Sequence, residues 1–249
     1  MTPLVWVLLF AAAVGGGAMN AVAGGGSFLT FPALLFSNVA PIQANATSAA
    51  ALWPGSAASS AGYRNDIKRA PRRLVLSLSA AALLGGIVGA LLLLRTPQST
   101  FRALVPWLLL GATLVFAFGP PVTRALRSRH LHMPLGMLVL LQLAIATYGG
   151  FFGGGMGIMM LAAYSAFGLE DIPMMNGIKS IMGMLLNAVA IIAFVIAGVV
   201  EWPFALVMVA GSLVGGYAGA HYGRRVPQAW MRAFIIAVGA VLSTYFFFA

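Results

Sequence analysis

At 249 residues, 61% hydrophobic and only 7% charged, with a mean hydropathy of +0.98, the chain lacks the polar surface of a soluble domain and reads as a polytopic membrane protein. Its formal net charge of +10 sits in short clusters between apolar segments, which fits loop charge and argues against the basic face of a nucleic-acid binder. Cysteine is absent, so disulfides and thiolate metal sites are excluded.

In chain order, Met1 to Phe10 is apolar without a basic leader, so a first membrane segment is expected there in place of a cleaved signal peptide. Apolar segments run over 3–23, 27–40, 45–62, 73–94 and 101–119, and a second set over 134–152, 156–169, 176–199, 203–222 and 229–248. The second member of each set is short. About 14 residues at ~1.5 Å each give ~21 Å against a hydrocarbon core of ~30 Å, which leaves a half-helix, one arm of a re-entrant hairpin or a mismatched span.

The two sets form an internal repeat. Gly85, Gly86, Gly89, Ala90, Arg95, Pro97, Gln98 and Arg102 match Gly215, Gly216, Gly219, Ala220, Arg225, Pro227, Gln228 and Arg232, eight identities in 18 positions at a shift of 130. Gly24 to Gly26 pair with Gly153 to Gly155 at 129, and Asn45 with Asn176 at 131. Three loops, at Arg64 to Arg73, at Arg124, Arg127 and Arg129, and at Arg224, Arg225 and Arg232, hold 11 of the 14 Lys and Arg residues. All fall on one side if every long segment crosses, and the positive-inside rule makes that side cytoplasmic, with Arg95, Arg102 and Glu201 outside. The repeated turns then face opposite ways. The expected architecture is a single all-α integral membrane domain over 1–249 in a cell inner membrane: inverted-topology repeats 1–119 and 134–249, joined by a basic cytoplasmic linker, 120–133.

Two glycine-rich breaks, at Gly24, Gly25 and Gly26 and at Gly149 to Gly157, interrupt corresponding hydrophobic segments. Broken segments at matching places in two halves point to a transporter binding site. Helices starting near Gly26 and Gly155 would aim amide donors and partial positive charge at an anion. The candidate substrate-binding residues are Gly24, Gly25, Gly26, Ser27, Asn45, Thr47 and Ser48 in the first half, with Asn20 another small polar group at depth. In the second half they are Gly153, Gly154, Gly155, Asn176, Lys179, Ser180 and Asn187. Glycines in membrane helices also serve close packing, Asn45 and Asn176 could cap the third helix of each half, and lysine at a cytoplasmic helix end also snorkels.

The only acids, Asp66, Glu170, Asp171 and Glu201, lie in expected loops, and His130, His132 and His221 lie at segment ends, so neither a metal site nor a buried proton relay is expected. No nucleophile elbow or zinc-ligand pattern supports an enzyme, and no cofactor is expected. The expected partners are a small anion and the lipid bilayer, with a homo-oligomer left open. A membrane scaffold or assembly subunit, or a cation or metal transporter, stand as the alternatives.

At these residues the chain resembles the sulfite exporter TauE/SafE family of membrane permeases, which share this length, a duplicated all-helical fold and a glycine-rich run followed by proline. Here the run reads Gly24-Gly25-Gly26-Ser27 and closes at Pro32. The family's small-polar motif, usually Gly-Thr-Ser, is similar to Ala46-Thr47-Ser48. The second half departs further, with Gly177-Ile178-Lys179 at the equivalent place and Leu161 where Pro32 would repeat. The resemblance implies transport of sulfite, sulfonates or related organic acids, and the departures leave open which.

Overall fold

The computed structural model describes residues 3–22, 25–128, 133–222 and 228–248, and these form eleven α-helices. Gly24, Arg129, His130, His132, Arg224 and Arg225 lie outside the described residues. The first half contains α1 (Pro3–Val22), α2 (Ser27–Phe36), α3 (Pro41–Gly62), the single turn α4 (Arg64–Ile67), α5 (Arg72–Arg95) and α6 (Gln98–Ser128). The second contains α7 (Leu135–Phe151), α8 (Met156–Phe167), α9 (Ile172–Ile196), α10 (Trp202–Tyr222) and α11 (Gln228–Phe248).

Proline sets most of the starts. Pro3, Pro41, Pro71, Pro97, Pro134, Pro173 and Pro203 each stand at or beside the first residue of a helix, where the missing N–H would have had no helical partner. This moves two boundaries from the sequence expectation. Asn45 and Asn176 lie inside α3 and α9 and are not caps; the α9 cap is Asp171, whose carboxylate accepts from Met174 N–H at 3.1 Å. Helix α6 also continues through Pro120 and Pro121 to Ser128, so the linker expected over 120–133 is helical for much of its length.

The ends of α2 and α8 repeat one device. Asn38 (φ 62°) and Gly168 (φ 99°) are left-handed, and Val39 N–H and Leu169 N–H reach back to the carbonyls of Leu34 and Tyr164. Both are Schellman closures, at the shift of 130 already seen in the sequence.

Contacts near the helix ends define two ends of the bundle. At the first, Trp6 meets Phe204 with ring centroids 5.3 Å apart, Ile42 N–H donates to Gln98 Oε1 at 3.2 Å, and Glu201 N–H donates to Thr47 Oγ1 at 3.0 Å. At the second, Arg69 lies 3.6 Å from Asp171, and Met133 N–H donates to the Ala166 carbonyl at 3.4 Å. The last contact puts the beginning of α7 beside the end of α8, so this pair is a hairpin that enters from the second end. Helices α1 and α2 form the counterpart, starting at Trp6 and returning to Pro41 at the first end.

Helix α1 packs most extensively on α10 and α5 on α7, and exchanging the halves turns one pair into the other. The same exchange relates α3–α10 to α5–α9 and leaves α3–α9 and α6–α11 as their own counterparts; α6–α8 is extensive where α2–α11 is slight. Repeated glycines make the first crossings. A Cβ at Gly85 would sit 2.7 Å from the Leu143 carbonyl oxygen and one at Gly219 2.7 Å from that of Ala18, while Gly215 and Gly89 face Val14 and Thr147 in the same way. With no side chain at these positions the helix backbones touch, which in lipid replaces hydrophobic pressure as the source of cohesion.

Among the described residues five helices, α1, α5, α6, α9 and α10, contain stretches long and apolar enough to cross a membrane. Their outward side chains include exposed Leu76, Trp107, Phe118, Ile196 and Leu206, the surface a hydrocarbon solvent requires. Helix α3 is not among the five. It carries Gln43, Asn45, Thr47, Ser48, Ser56 and Ser60 and is enclosed by α9, α10 and the first hairpin.

Candidate functional site

A cavity of about 90 Å³ lies where the two hairpin breaks meet the faces of α3 and α9. Since about 10–15 Å³ of such space admits one water, it has room for a small ion with part of its hydration.

The first break is held open by close approach. A Cβ at Gly26 would meet the Gly16 carbonyl and Leu52, and one at Gly25 would sit 2.7 Å from the Phe116 ring, so only glycine lets the chain reverse there. The second break uses left-handed backbone at Gly153 (φ 84°) and Gly155 (φ 76°). It is braced from α7, since Tyr148 O–H donates to the Gly154 carbonyl at 2.7 Å and the Tyr148 carbonyl accepts from Phe152 and Gly153.

Polar side chains tie these breaks to the neighbouring helices. Asn45 Nδ2 donates to the Phe151 carbonyl at 2.9 Å, joining α3 of the first half to the hairpin of the second. Thr30 donates to the Gly26 carbonyl at 3.1 Å, and its oxygen lies 2.6 Å from Ser48 Oγ; with the one Thr30 proton so used, Ser48 is the donor. Asn20 Nδ2 donates to Ser56 Oγ at 3.1 Å, and Asn187 Nδ2 to the Gly183 carbonyl at 2.9 Å. Trp53 Nε1–H donates to the Met184 carbonyl at 3.1 Å, across the α3–α9 crossing.

Lys179 is half-buried in the wall, its methylene stem against Gly157, where a Cβ would be 3.3 Å from Lys179 Cδ. No other ionisable side chain lines the cavity among the described residues. The four acids lie at the ends of the bundle: Asp66 and Asp171 flank Arg69, and Glu170 and Glu201 are exposed. Among the described residues no three His, Cys, Asp or Glu side chains gather as a metal site.

Of the residues named from sequence, Asn20, Gly25, Gly26, Ser27, Asn45, Ser48, Gly153, Lys179, Ser180 and Asn187 all border this cavity. Others lie elsewhere. Thr47 is fully buried on Glu201 N–H, Gly154 and Gly155 press on Ala112 and Val115 of α6, and Asn176 bonds back to the Ile172 carbonyl; Gly24 is outside the described residues. Sequence reasoning missed Leu52, Trp53, Ser56, Phe152, Met156 and Met160. Ser48, Leu52 and Ser56 recur every fourth residue on one face of α3, a spacing that would have found Ser56.

An all-helical bundle with apolar helices outside and a cavity bearing a few polar groups between two helix breaks is the architecture of a membrane transporter. The chain belongs to the sulfite exporter TauE/SafE family, whose model matches residues 9–246. It is 31% identical over 205 residues to a probable membrane transporter protein of Haemophilus influenzae, covering 81% of this chain and 78% of that one. It is 26% identical over 250 residues to the probable membrane transporter protein YfcA of Escherichia coli K12, covering 98% and 90%, and 26% identical over 236 residues to ORF9 of a Sinorhizobium species, covering 94% and 89%. No solved structure matches it significantly.

Proposed function

We propose that the chain carries a small anion, namely sulfite, a sulfonate or a related organic anion, across the bacterial inner membrane through this cavity. The observation that carries the reading is the charge of the lining: one ammonium, Lys179, and no carboxylate among the described residues. A cation would meet a like charge there. The anion's chemical class comes from the family's description as sulfite exporters.

The halves act as inverted repeats. Support comes from the hairpins, which enter from opposite ends of the bundle, and from the exchange of packing pairs between halves. The basic loops are cytoplasmic by the positive-inside rule, which puts Arg69 inside and Glu201 outside. With the four acids at the ends, flux does not depend on protonation of a buried carboxylate.

The test is a flux screen of purified protein in liposomes. Sulfite or methanesulfonate is expected to cross well above the protein-free rate while potassium does not. Folded protein that passes cations, or no anion from a broad panel, would sink the proposal in favour of a cation carrier or a scaffold.

A further inference from the structure

Helices α3 and α9 present the cavity with the same face. Ser48 and Lys179, Ala49 and Ser180, Leu52 and Gly183, and Ser56 and Asn187 all line it, each pair separated by the shift of 131 that relates Asn45 to Asn176. The pairs are alike in register, and one of them, Ser48 with Lys179, differs in charge. Where one half offers the Ser48 hydroxyl, the other offers an ammonium, so the cavity has a single full charge, placed on the α9 wall.

At each helix start one amide donor is already taken. Phe28 N–H is taken by the Gly25 carbonyl at 3.1 Å and Met156 N–H by the Gly153 carbonyl at 3.4 Å, so each break closes partly on its own backbone. Desolvation of an ion grows as the square of its charge, whereas attraction to one fixed charge grows only in proportion. Taking a dianion in place of a monoanion thus multiplies the desolvation cost by about four and the attraction by about two.

We propose that Lys179 makes this a monoanion site, one that accepts hydrogensulfite, a sulfonate or a small carboxylate and discriminates against dianions such as sulfate. This rests on the anion reading above and goes further by fixing the charge of the cargo. Ser48 is the position from which the selectivity is reversed.

The experiment is equilibrium binding of methanesulfonate and of sulfate to the purified full chain at one pH and ionic strength. Wild-type protein is expected to prefer methanesulfonate by at least roughly tenfold, about 1.4 kcal/mol. Equal or tighter binding of sulfate would overturn the proposal while leaving the anion reading in place. If neither anion binds and a monovalent cation does, both fall. Lys179→Met should lose at least roughly tenfold in methanesulfonate affinity, and retained affinity would remove the lysine from the site. Ser48→Lys, which adds the second charge, should raise sulfate relative to methanesulfonate; an unchanged ratio in folded protein counts against the idea. Because Ser48 is bonded to Thr30, the wild-type comparison decides the matter if that variant does not fold.

Discussion

Gln142 is buried on α7 with Tyr164 O–H donating to its Oε1 at 3.0 Å, and among the described residues its Nε2 is the buried side-chain polar atom without a partner. The equivalent residues of the first half, Ala13 and Leu34, are apolar and fully buried. An unmet buried donor costs about 1–3 kcal/mol, and replacing both members of such a pair by apolar shapes removes that penalty. Gln142→Leu combined with Tyr164→Phe is therefore expected to raise the melting temperature in detergent, while a fall would show that the amide has a partner in the membrane. Neither side chain was legible as a feature from sequence, since a single Gln and Tyr in apolar runs carry no pattern. The cavity was more legible because its residues break a pattern: glycines, Asn45, Ser48 and Lys179 stand out in apolar helices. What the letters could not give was direction. Thr47 sits next to Ser48 but faces the α9–α10 turn, and Gly154 and Gly155 belong to the same run as Gly153 but turn toward α6. A helix rotates about 100° per residue, and a break resets that rotation by an amount only its dihedral angles fix.

Among elements, the paired glycine crossings make the clearest demand. Four glycines of the repeat are explained by packing: α5 on α7 needs the absent side chains of Gly85 and Gly89, and α10 on α1 those of Gly215 and Gly219, while Gly86 faces Leu186 of α9. Gly85→Val and Gly215→Val are each expected to destabilise the folded protein by about 1–3 kcal/mol, the usual cost of overpacking. Gly111→Val is the control, since nothing lies within 4 Å of a Cβ there. Thermal unfolding of the three variants in one detergent checks this, and equal losses would mean that the close crossings do not set the cost. Helix existence and order were legible because each long apolar run lies between loops marked by proline, glycine or arginine. The hairpin was legible only as one of three options. The length of 156–169 could not choose among them, and the choice came from a tertiary contact, Met133 to Ala166.

For the whole molecule, the two ends of the bundle make a prediction that needs no substrate. With no native cysteine, Arg69→Cys should react with an impermeant thiol reagent only from the cytoplasmic side and Glu201→Cys only from outside. Reaction of both from one side would contradict the assignment of the ends. The cavity is assembled from residues as far apart as Asn20 and Phe194, so most of the chain must leave the ribosome before the cavity exists. Helix α3 emerges early in that sequence of events, with a mean hydropathy well below that of the helices that later enclose it. During synthesis its amides and hydroxyls lack the walls of α9 and α10. A helix whose polarity suits the assembled cavity is therefore expected to depend, for its place in the membrane, on neighbours made after it.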